Sequence, residues 1–150
     1  MNIDIAWMEE NVLLHKLHED EARLINDLFN IHQFETGDEI ITQGESGKGI
    51  YLLRSGEAGV TSKKAGQATF LGEVGEGAVV GEMSFFSGGD SSASITAYKP
   101  CTAYELSRDN YCKLLTMSPE LLMAFLTHLV SYSSAIVKKM NQAHVSTMAR

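Results

Sequence analysis

The sequence has few cysteines, few prolines and no run of basic residues. Cys101 and Cys112 are too few for a disulfide framework, and residues 1–7 lack the basic start of a signal peptide. We therefore expect a protein of the reducing cytoplasm. Lys and Arg number 12 against 19 Asp and Glu, which gives a net charge of -7. This acidic balance argues against direct binding to nucleic acid.

Long hydrophobic runs are also scarce. The longest uncharged stretch covers residues 121–137 and contains His128 and several hydroxyl side chains. It is marginal in length and too polar for a membrane span, so we predict a partly buried helix and no membrane span. With 150 residues, 44% of them hydrophobic, the chain is long enough for a real core, and we predict a single domain over residues 1–150.

The common signatures of catalysis are missing. The sequence contains no Gly-x-Ser-x-Gly elbow and no Walker loop. A metal-dependent jelly roll needs histidines on its strands, whereas all five histidines lie outside the region that we predict to be β: residues 15, 18, 32, 128 and 144. His15, His18 and Glu19 form only a weak metal pattern, and solvated side chains are the favoured interpretation. We predict that the protein is not an enzyme, binds no metal and requires no cofactor.

Residues 8–30 show helical periodicity. Apolar side chains recur there at spacings of three and four, and the acids at residues 19–21 suit the positive end of a helix dipole. The pattern predicts two helices that are separated near His18.

From Phe34 to Ser107 the periodicity changes to two. Short β-rich runs alternate with turns at Gly37-Asp38, residues 44–47 and Ser55-Gly56. The runs are residues 39–42, 49–54, 58–61, 68–74, 77–80, 94–98 and 101–106. Regular short strands of this kind predict a mainly β fold, such as a sandwich, jelly roll or barrel, over residues 34–107.

Two helices are predicted over residues 108–146. Ser107 is a good N-cap for the first, which runs to Met117. Ser118-Pro119-Glu120 combines an N-cap, a proline in the first turn and an early acid, and it opens a long final helix that ends near residue 145.

The final helix carries an apolar seam. Its members recur at spacings of three and four: Leu122, Phe125, Leu129, Tyr132, Ile136, Met140 and Ala143. One interpretation is a single face packed on the β domain. Flanking Leu126, Val130 and Val137 widen the apolar surface, so we favour a homodimer through this helix.

A short helical turn interrupts the β region at residues 81–87. The strand pattern stops at Val80 and resumes at Ser94, and Met83, Phe85 and Phe86 can face a core. Amides at the start of the turn have no partner within it, and such amides form a small anion site. The glycines at 88–89 let a ligand approach the backbone closely.

This segment resembles the phosphate-binding cassette of the cyclic nucleotide-binding domain family. The resemblance lies in Gly81-Glu82-Met83-Ser84-Phe85-Phe86, followed by Gly88-Gly89 and Ser92-Ala93-Ser94. It extends over residues 34–107 through a set of shared turn motifs: Gly37-Asp38, Gln43-Gly44-Glu45, Tyr51, Ser55-Gly56-Glu57 and Gly77.

The resemblance implies an antiparallel β-roll or jelly roll with N-terminal helices and a long C-terminal helix, and a regulatory role in signal transduction. It implies cAMP or cGMP as ligand, with Glu82 accepting from the ribose 2′-hydroxyl and the turn amides at the phosphate. The candidate ligand-binding residues are Gly81, Glu82, Met83, Ser84, Ser91 and Ser92. For Glu82 the alternative is a local cap. Of Ser91, Ser92 and Ser94, which could all donate to a phosphate, the alternative for two is the wet face of the next strand.

One departure from the family pattern bears on affinity. Asp90-Ser91 occupies the place of the family's Pro-Arg pair, and no Lys or Arg lies between Lys64 and Lys99. A charge-assisted hydrogen bond is worth about 1.5–3 kcal/mol, so its loss weakens binding by roughly tenfold to several hundredfold. We predict weak or lost affinity for cAMP and cGMP unless a distant arginine such as Arg54 compensates. The alternative is a ligand-free interaction domain that acts through its C-terminal helix.

Overall fold

The architecture is that of a β-roll flanked by helices. In this computed structural model, the backbone of residues 1–148 and the side chains of residues 1–142 are described. Along the chain, N-terminal helices precede two antiparallel sheets of four strands, and a long C-terminal helix follows them. The predicted fold class is therefore confirmed.

The N-terminal helices bracket an irregular connection. Helix α1 (Ile5–Met8) continues into a π-helical turn (Glu9–Leu13), and helix α2 (Glu19–Leu28) follows. The predicted separation near His18 is confirmed, because His18 is the N-cap of α2 and its amide donates to the Glu21 carboxylate at 2.9 Å. The helical region begins and ends slightly earlier than the predicted residues 8–30.

The strands form two antiparallel sheets. They are β1 (Phe29–Phe34), β2 (Glu39–Ile41), β3 (Gly49–Ser55), β4 (Ala58–Lys64), β5 (Gln67–Val74), β6 (Val79–Val80), β7 (Ser94–Ala97) and β8 (Cys101–Ser107). The strand order is β1-β8-β3-β6 in one sheet and β2-β7-β4-β5 in the other. Helix α3 (Glu82–Ser87) connects the two sheets between β6 and β7.

Strand β1 was not predicted, and the reason is tertiary. Ile25, Leu28 and Phe29 continue the helical spacing of α2, but from Phe29 onward the chain pairs with β8, from Phe29 opposite Leu106 to Phe34 opposite Cys101. Ladder pairing overrides the local pattern there. The expectation that all five histidines lie outside the β region is therefore wrong for His32.

The hydrophobic core has two parts. The larger part joins the N-terminal helices, one sheet and the first turns of the C-terminal helix; Met8, Ile25, Leu52, Leu106 and Phe125 are among its buried members. The smaller part contains residues from both sheets and therefore fills the interior of the roll. Tyr132 packs against both parts. The final helix is thus connected to the roll interior.

Helices α4 (Arg108–Met117) and α5 (Pro119–Met148) follow the roll. The predicted helix starts are confirmed. The Ser107 hydroxyl accepts from the backbone amide of Asn110 at 3.2 Å, and the Ser118 hydroxyl accepts from the backbone amide of Leu121 at 3.4 Å. By length and composition alone, residues 119–142 also meet the requirement for a membrane-crossing helix. This is weak evidence, because a core helix of a soluble protein passes the same test.

The apolar seam of α5 divides into a buried and an exposed half. Leu122, Phe125 and Leu129 are buried in the core, whereas Ile136 and Met140 are 41% and 65% exposed. The side chain of Ala143 lies outside the described residues. The first half of the seam thus packs on the domain itself, and the second half is left on the surface.

Candidate ligand-binding site

A cavity of about 310 Å³ lies beside helix α3. One side is formed by the segment from Gly81 to Ala93, and all six residues proposed from the sequence line it: Gly81, Glu82, Met83, Ser84, Ser91 and Ser92. The apolar part of the lining comes from β2, β4, β6 and β7, through Ile41, Val60, Val79, Val80 and Ile95. The cavity therefore has a polar and an apolar wall, as small-molecule sites do.

Gly47 and Arg108, which do not line the cavity, hold helix α3 in place. Gly47 lies so close that a Cβ atom there would be 2.6 Å from the Phe85 amide nitrogen. The Arg108 guanidinium donates to the carbonyls of Phe85 at 2.6 Å and Gly47 at 3.2 Å, and it lies 4.1 Å from the Phe85 ring centroid. The position of the polar wall is thus fixed by residues that do not line the cavity.

Only one of the three large apolar side chains of α3 faces the core. Phe85 is buried, but Met83 is 76% exposed and Phe86 is 51% exposed, so the prediction was wrong for these two. A helix of six residues buries one face only, and residues 83 and 86, three apart, share the opposite one. The Phe86 ring packs in T-shaped arrangements with the rings of Phe85 and Tyr111, while Met83 lines the cavity.

Ser84 and Ser91 bring two hydroxyl groups together in the polar wall. Ser84 is only 6% exposed, and its Oγ atom is 3.5 Å from the Gly81 carbonyl oxygen and 3.5 Å from Ser91 Oγ. Both distances are at the outer limit of a hydrogen bond. The Ser91 backbone is already paired, because its amide donates to Glu45 at 2.8 Å and its carbonyl accepts from Gly44 at 2.9 Å. Ser91 therefore presents its hydroxyl, and not its amide, to a ligand.

Ser92 and Ser94 have different surroundings. Ser92 is exposed at the cavity, and its carbonyl accepts from the Ser62 hydroxyl at 3.1 Å. The Ser94 hydroxyl accepts from the backbone amide of Gln43 at 2.9 Å. Ser94 therefore fixes the loop after β2 to β7 and does not line the cavity.

The charged groups of this cavity are acidic. Among the residues that the structure describes, its charged members are Glu82 and the exposed Asp90, and no Lys or Arg lines it. Burial raises the pKa of the Glu82 carboxyl above its usual value, and a hydrogen bond with its own amide lowers the pKa in part. An anion bound here meets like charge.

Arg54 and Arg108, which could supply a compensating guanidinium, bind other partners. Arg54 donates to Asp4 at 2.8 Å and to Glu76 at 3.2 Å, and it lies 5.0 Å from the Trp7 ring centroid. It does not line the cavity. The Arg108 guanidinium is bound to carbonyls on the outer side of α3. The alternative in which Arg54 supplies the missing guanidinium is therefore wrong for this conformation.

A polar cluster beside Gly81 was missed by the sequence reasoning. A Cβ atom at Gly81 would lie 3.8 Å from the Tyr51 ring, and burial together with the Glu105 charge raises the pKa of Tyr51 to about 12. Glu105 also pairs with His32 Nε2 at 2.8 Å. The three residues come from β1, β3 and β8, so only the strand pairing brings them together.

The C-terminal helix approaches the same region. Burial, with the Glu82 charge as a second cause, raises the pKa of Tyr132 on α5. His128 Nε2 is 3.0 Å from the Gly77 carbonyl oxygen in the loop before β6. Helix α5 therefore contacts the segment that leads into the cavity.

The weak metal pattern at His15, His18 and Glu19 has no support in the structure. Within the described part of the chain, no group of three or more His, Cys, Asp or Glu side chains is arranged to hold a metal ion. His15 Nδ1 is 3.0 Å from the Leu13 carbonyl oxygen, and His18 caps α2.

A β-roll that carries a short helix between its two sheets has, beside that helix, a cavity of mixed polarity that is typical of small-molecule sites. A family profile described as "Cyclic nucleotide-binding domain" matches residues 31–118. The chain belongs to this family.

The related proteins are longer than this chain and include an ion channel and a receptor protein. The chain is 33% identical over 106 residues to the human potassium/sodium hyperpolarization-activated cyclic nucleotide-gated channel 1, covering 71% of this chain and 12% of the channel. It is 31% identical over 113 residues to the cyclic AMP receptor protein of Thermus thermophilus, covering 75% of this chain and 52% of that protein. The chain thus matches about half or less of these relatives' length.

A solved structure shows the same fold. The crystal structure of a cyclic nucleotide-binding domain from Methylobacillus flagellatus superimposes with a TM-score of 0.80 at 24% identity, covering 95% of this chain and 81% of that one.

Proposed function

We propose that this domain is a regulatory ligand-binding module of the cytoplasm that binds a molecule of the cyclic nucleotide type, with weak affinity for cAMP and cGMP themselves. It acts by binding and not by catalysis. The observation that carries this proposal is the cavity beside α3, which is lined by all six residues identified from the family cassette. Its apolar wall suits a base and its polar wall a ribose.

Glu82 is assigned to the ribose. Its carboxylate lines the cavity at the first position of α3, and the positive φ of 84° at Gly81 turns the chain there so that the helix can begin. A carboxylate accepts hydrogen bonds from hydroxyl groups. The hydroxyls of Ser84 and Ser91 are assigned to the phosphate end, with Gly81 and Met83 beside them and Ser92 at the rim.

The weak affinity follows from charge. A phosphate placed near Ser91 meets Asp90 and Glu82, and the guanidinium groups of Arg54 and Arg108 are bound to other partners. The missing charge-assisted contact alone costs about 1.5–3 kcal/mol.

Isothermal titration of the purified chain with cAMP and cGMP tests this function. We expect weak but saturable binding to the wild type. The variant Asp90→Pro with Ser91→Arg should bind cAMP roughly tenfold to several hundredfold more tightly, because it restores the guanidinium and removes a carboxylate. The change keeps the backbone hydrogen bonds of the loop, since these use the amides of Ser91 and Gly44.

Asp90→Pro with Ser91→Gln is the matched control. It adds a polar side chain and the same proline without positive charge, so it should gain much less affinity than the arginine variant. Sub-micromolar binding of cAMP by the wild type would contradict the weak affinity. An arginine variant that folds but gains nothing would show that the cavity does not hold a phosphate near Ser91.

A second candidate function is a protein-interaction domain that acts through α5 and forms a homodimer. Exposed apolar side chains on and beside the seam favour this function: Val130, Ile136, Val137 and Met140. Ile136 and Met140 continue the seam whose first half is packed in the core, Val130 and Val137 flank it, and contiguous exposed apolar residues of this kind mark interaction surfaces.

A further inference from the structure

The polar wall of the cavity contains hydroxyls and carboxylates. Besides Glu82 and Asp90, its polar side chains are Ser84, Ser87, Ser91 and Ser92. Hydroxyls can donate and accept, whereas carboxylates in their ionised form only accept. This set satisfies a ligand that donates hydrogen bonds. It does not satisfy a ligand that brings additional negative charge into partly buried surroundings, where charge repulsion is stronger than in water.

The buried hydroxyl of Ser84 indicates a stronger partner than those within the chain. Ser84 is 6% exposed and lines the cavity, yet both of its hydrogen-bond contacts are 3.5 Å long. Buried polar groups in proteins normally form shorter hydrogen bonds than these. An uncharged hydroxyl or amide of a ligand can donate to Ser84 Oγ and accept from it, and it carries no charge toward Glu82.

The apolar wall suits a flat apolar body. It is made of branched aliphatic side chains from four strands: Ile41, Val60, Val79, Val80 and Ile95. The cavity of about 310 Å³ is near the lower end of the range of about 300–1,000 Å³ for small-molecule sites. It therefore has room for one ring system and one sugar.

We propose that this cavity binds an uncharged nucleoside in preference to the corresponding cyclic nucleotide. One ribose hydroxyl contacts Glu82, another contacts Ser84 at the end where the phosphate of a cyclic nucleotide would lie, and the base packs against the apolar wall. This inference rests on the proposed ligand-binding function and names the ligand class at the same site.

The test compares adenosine with cAMP, and guanosine with cGMP, by isothermal titration of the full chain in one buffer. We expect at least one nucleoside to bind about tenfold or more tightly than its cyclic nucleotide. Raising the salt concentration from about 0.05 M to about 0.5 M screens the exposed carboxylate of Asp90. The cyclic nucleotide should then bind more tightly, and the preference for the nucleoside should narrow.

Three variants locate the binding site and its charge dependence. Asp90→Asn should narrow the preference for the nucleoside, because it removes one carboxylate. Ser84→Ala should weaken nucleoside binding by roughly twofold to tenfold, the effect of one lost hydrogen bond. Asp90→Pro with Ser91→Arg should reverse the preference, so that cAMP binds more tightly than adenosine.

The outcomes separate this inference from the proposed function. If neither nucleoside binds the wild-type chain more tightly than its own cyclic nucleotide, the nucleoside preference is overturned and the ligand-binding function is retained. If a folded chain binds none of the four up to millimolar concentration, both are overturned. Nucleoside binding that is unchanged in Ser84→Ala would also overturn the inference, because the ligand would lie elsewhere.

Discussion

Gly47 sets the distance between the loop after β2 and the backbone of α3. The space for a Cβ atom at this glycine is occupied by main-chain atoms of Ser84 and Phe85, with the closest at 2.6 Å. Backbone atoms cannot rotate away as a flexible side chain can. Any larger residue at position 47 therefore displaces the helix that forms the polar wall of the cavity.

The substitution Gly47→Ala tests this contact. We expect a loss of about 1–3 kcal/mol in unfolding free energy, typical of overpacking, and weaker binding of any ligand of the cavity. Gly75→Ala is the matched control, because its Cβ atom would lie 3.8 Å from the nearest atom, the Gly56 carbonyl oxygen. Denaturant unfolding measures both. Equal stability of the two variants would contradict the role assigned to Gly47.

At the scale of elements, α5 has a packed half and a free half. Leu129 is buried, so a charge at that position tests folding and not association. Ile136 and Met140 lie one turn apart on the exposed continuation of the seam, and charges there leave the core unchanged. These two positions are therefore the appropriate test of the homodimer.

The double variant Ile136→Asp with Met140→Asp should convert a dimer into a monomer, because two charges on each chain cannot be buried at an apolar interface. Sedimentation measures the mass. Ala135→Asp with Gln142→Asp adds the same charges at exposed positions near the opposite side of the helix and should leave the dimer intact. An unchanged mass for a folded Ile136→Asp, Met140→Asp dimer would rule out the seam as the interface.

At the scale of the whole molecule, the larger part of the core connects the N-terminal helices, one sheet of the roll and α5, and Tyr132 packs against both parts. Phe125 of α5 is 1% exposed, and its ring centroid is 5.4 Å from that of Phe29 in β1 in an edge-to-face arrangement. The roll and its flanking helices are therefore expected to unfold together in a single transition.

The substitution Phe125→Ala should lower the unfolding free energy by about 3–5 kcal/mol and the melting temperature by roughly 6–20 °C, because it leaves a cavity in this core. Met123→Ala on the same helix is the control, since Met123 is exposed and its loss should change stability by about 0.5 kcal/mol or less. Calorimetry measures both. Two separate transitions in the wild type would contradict a shared core.

Local signals predicted much of the fold. Strands β3, β4 and β8 lie at or near their predicted positions, because alternation of side chains and glycine turns are properties of neighbouring residues. The capped starts of α4 and α5 were predictable for the same reason. Strand β1 was not, because its conformation depends on pairing with β8, about seventy residues away in the chain.

The two walls of the cavity differ in the same way. The cassette residues from Gly81 to Ser92 are contiguous, so the family, the roll and the candidate residues of the polar wall could be predicted from their order in the chain. The apolar wall, the pairing of Arg54 and Arg108 with other partners, and the division of α5 into a buried and an exposed half could not be predicted in this way. These features depend on contacts between residues that are far apart in the chain, and such contacts exist only after the sheets have paired and the core has packed.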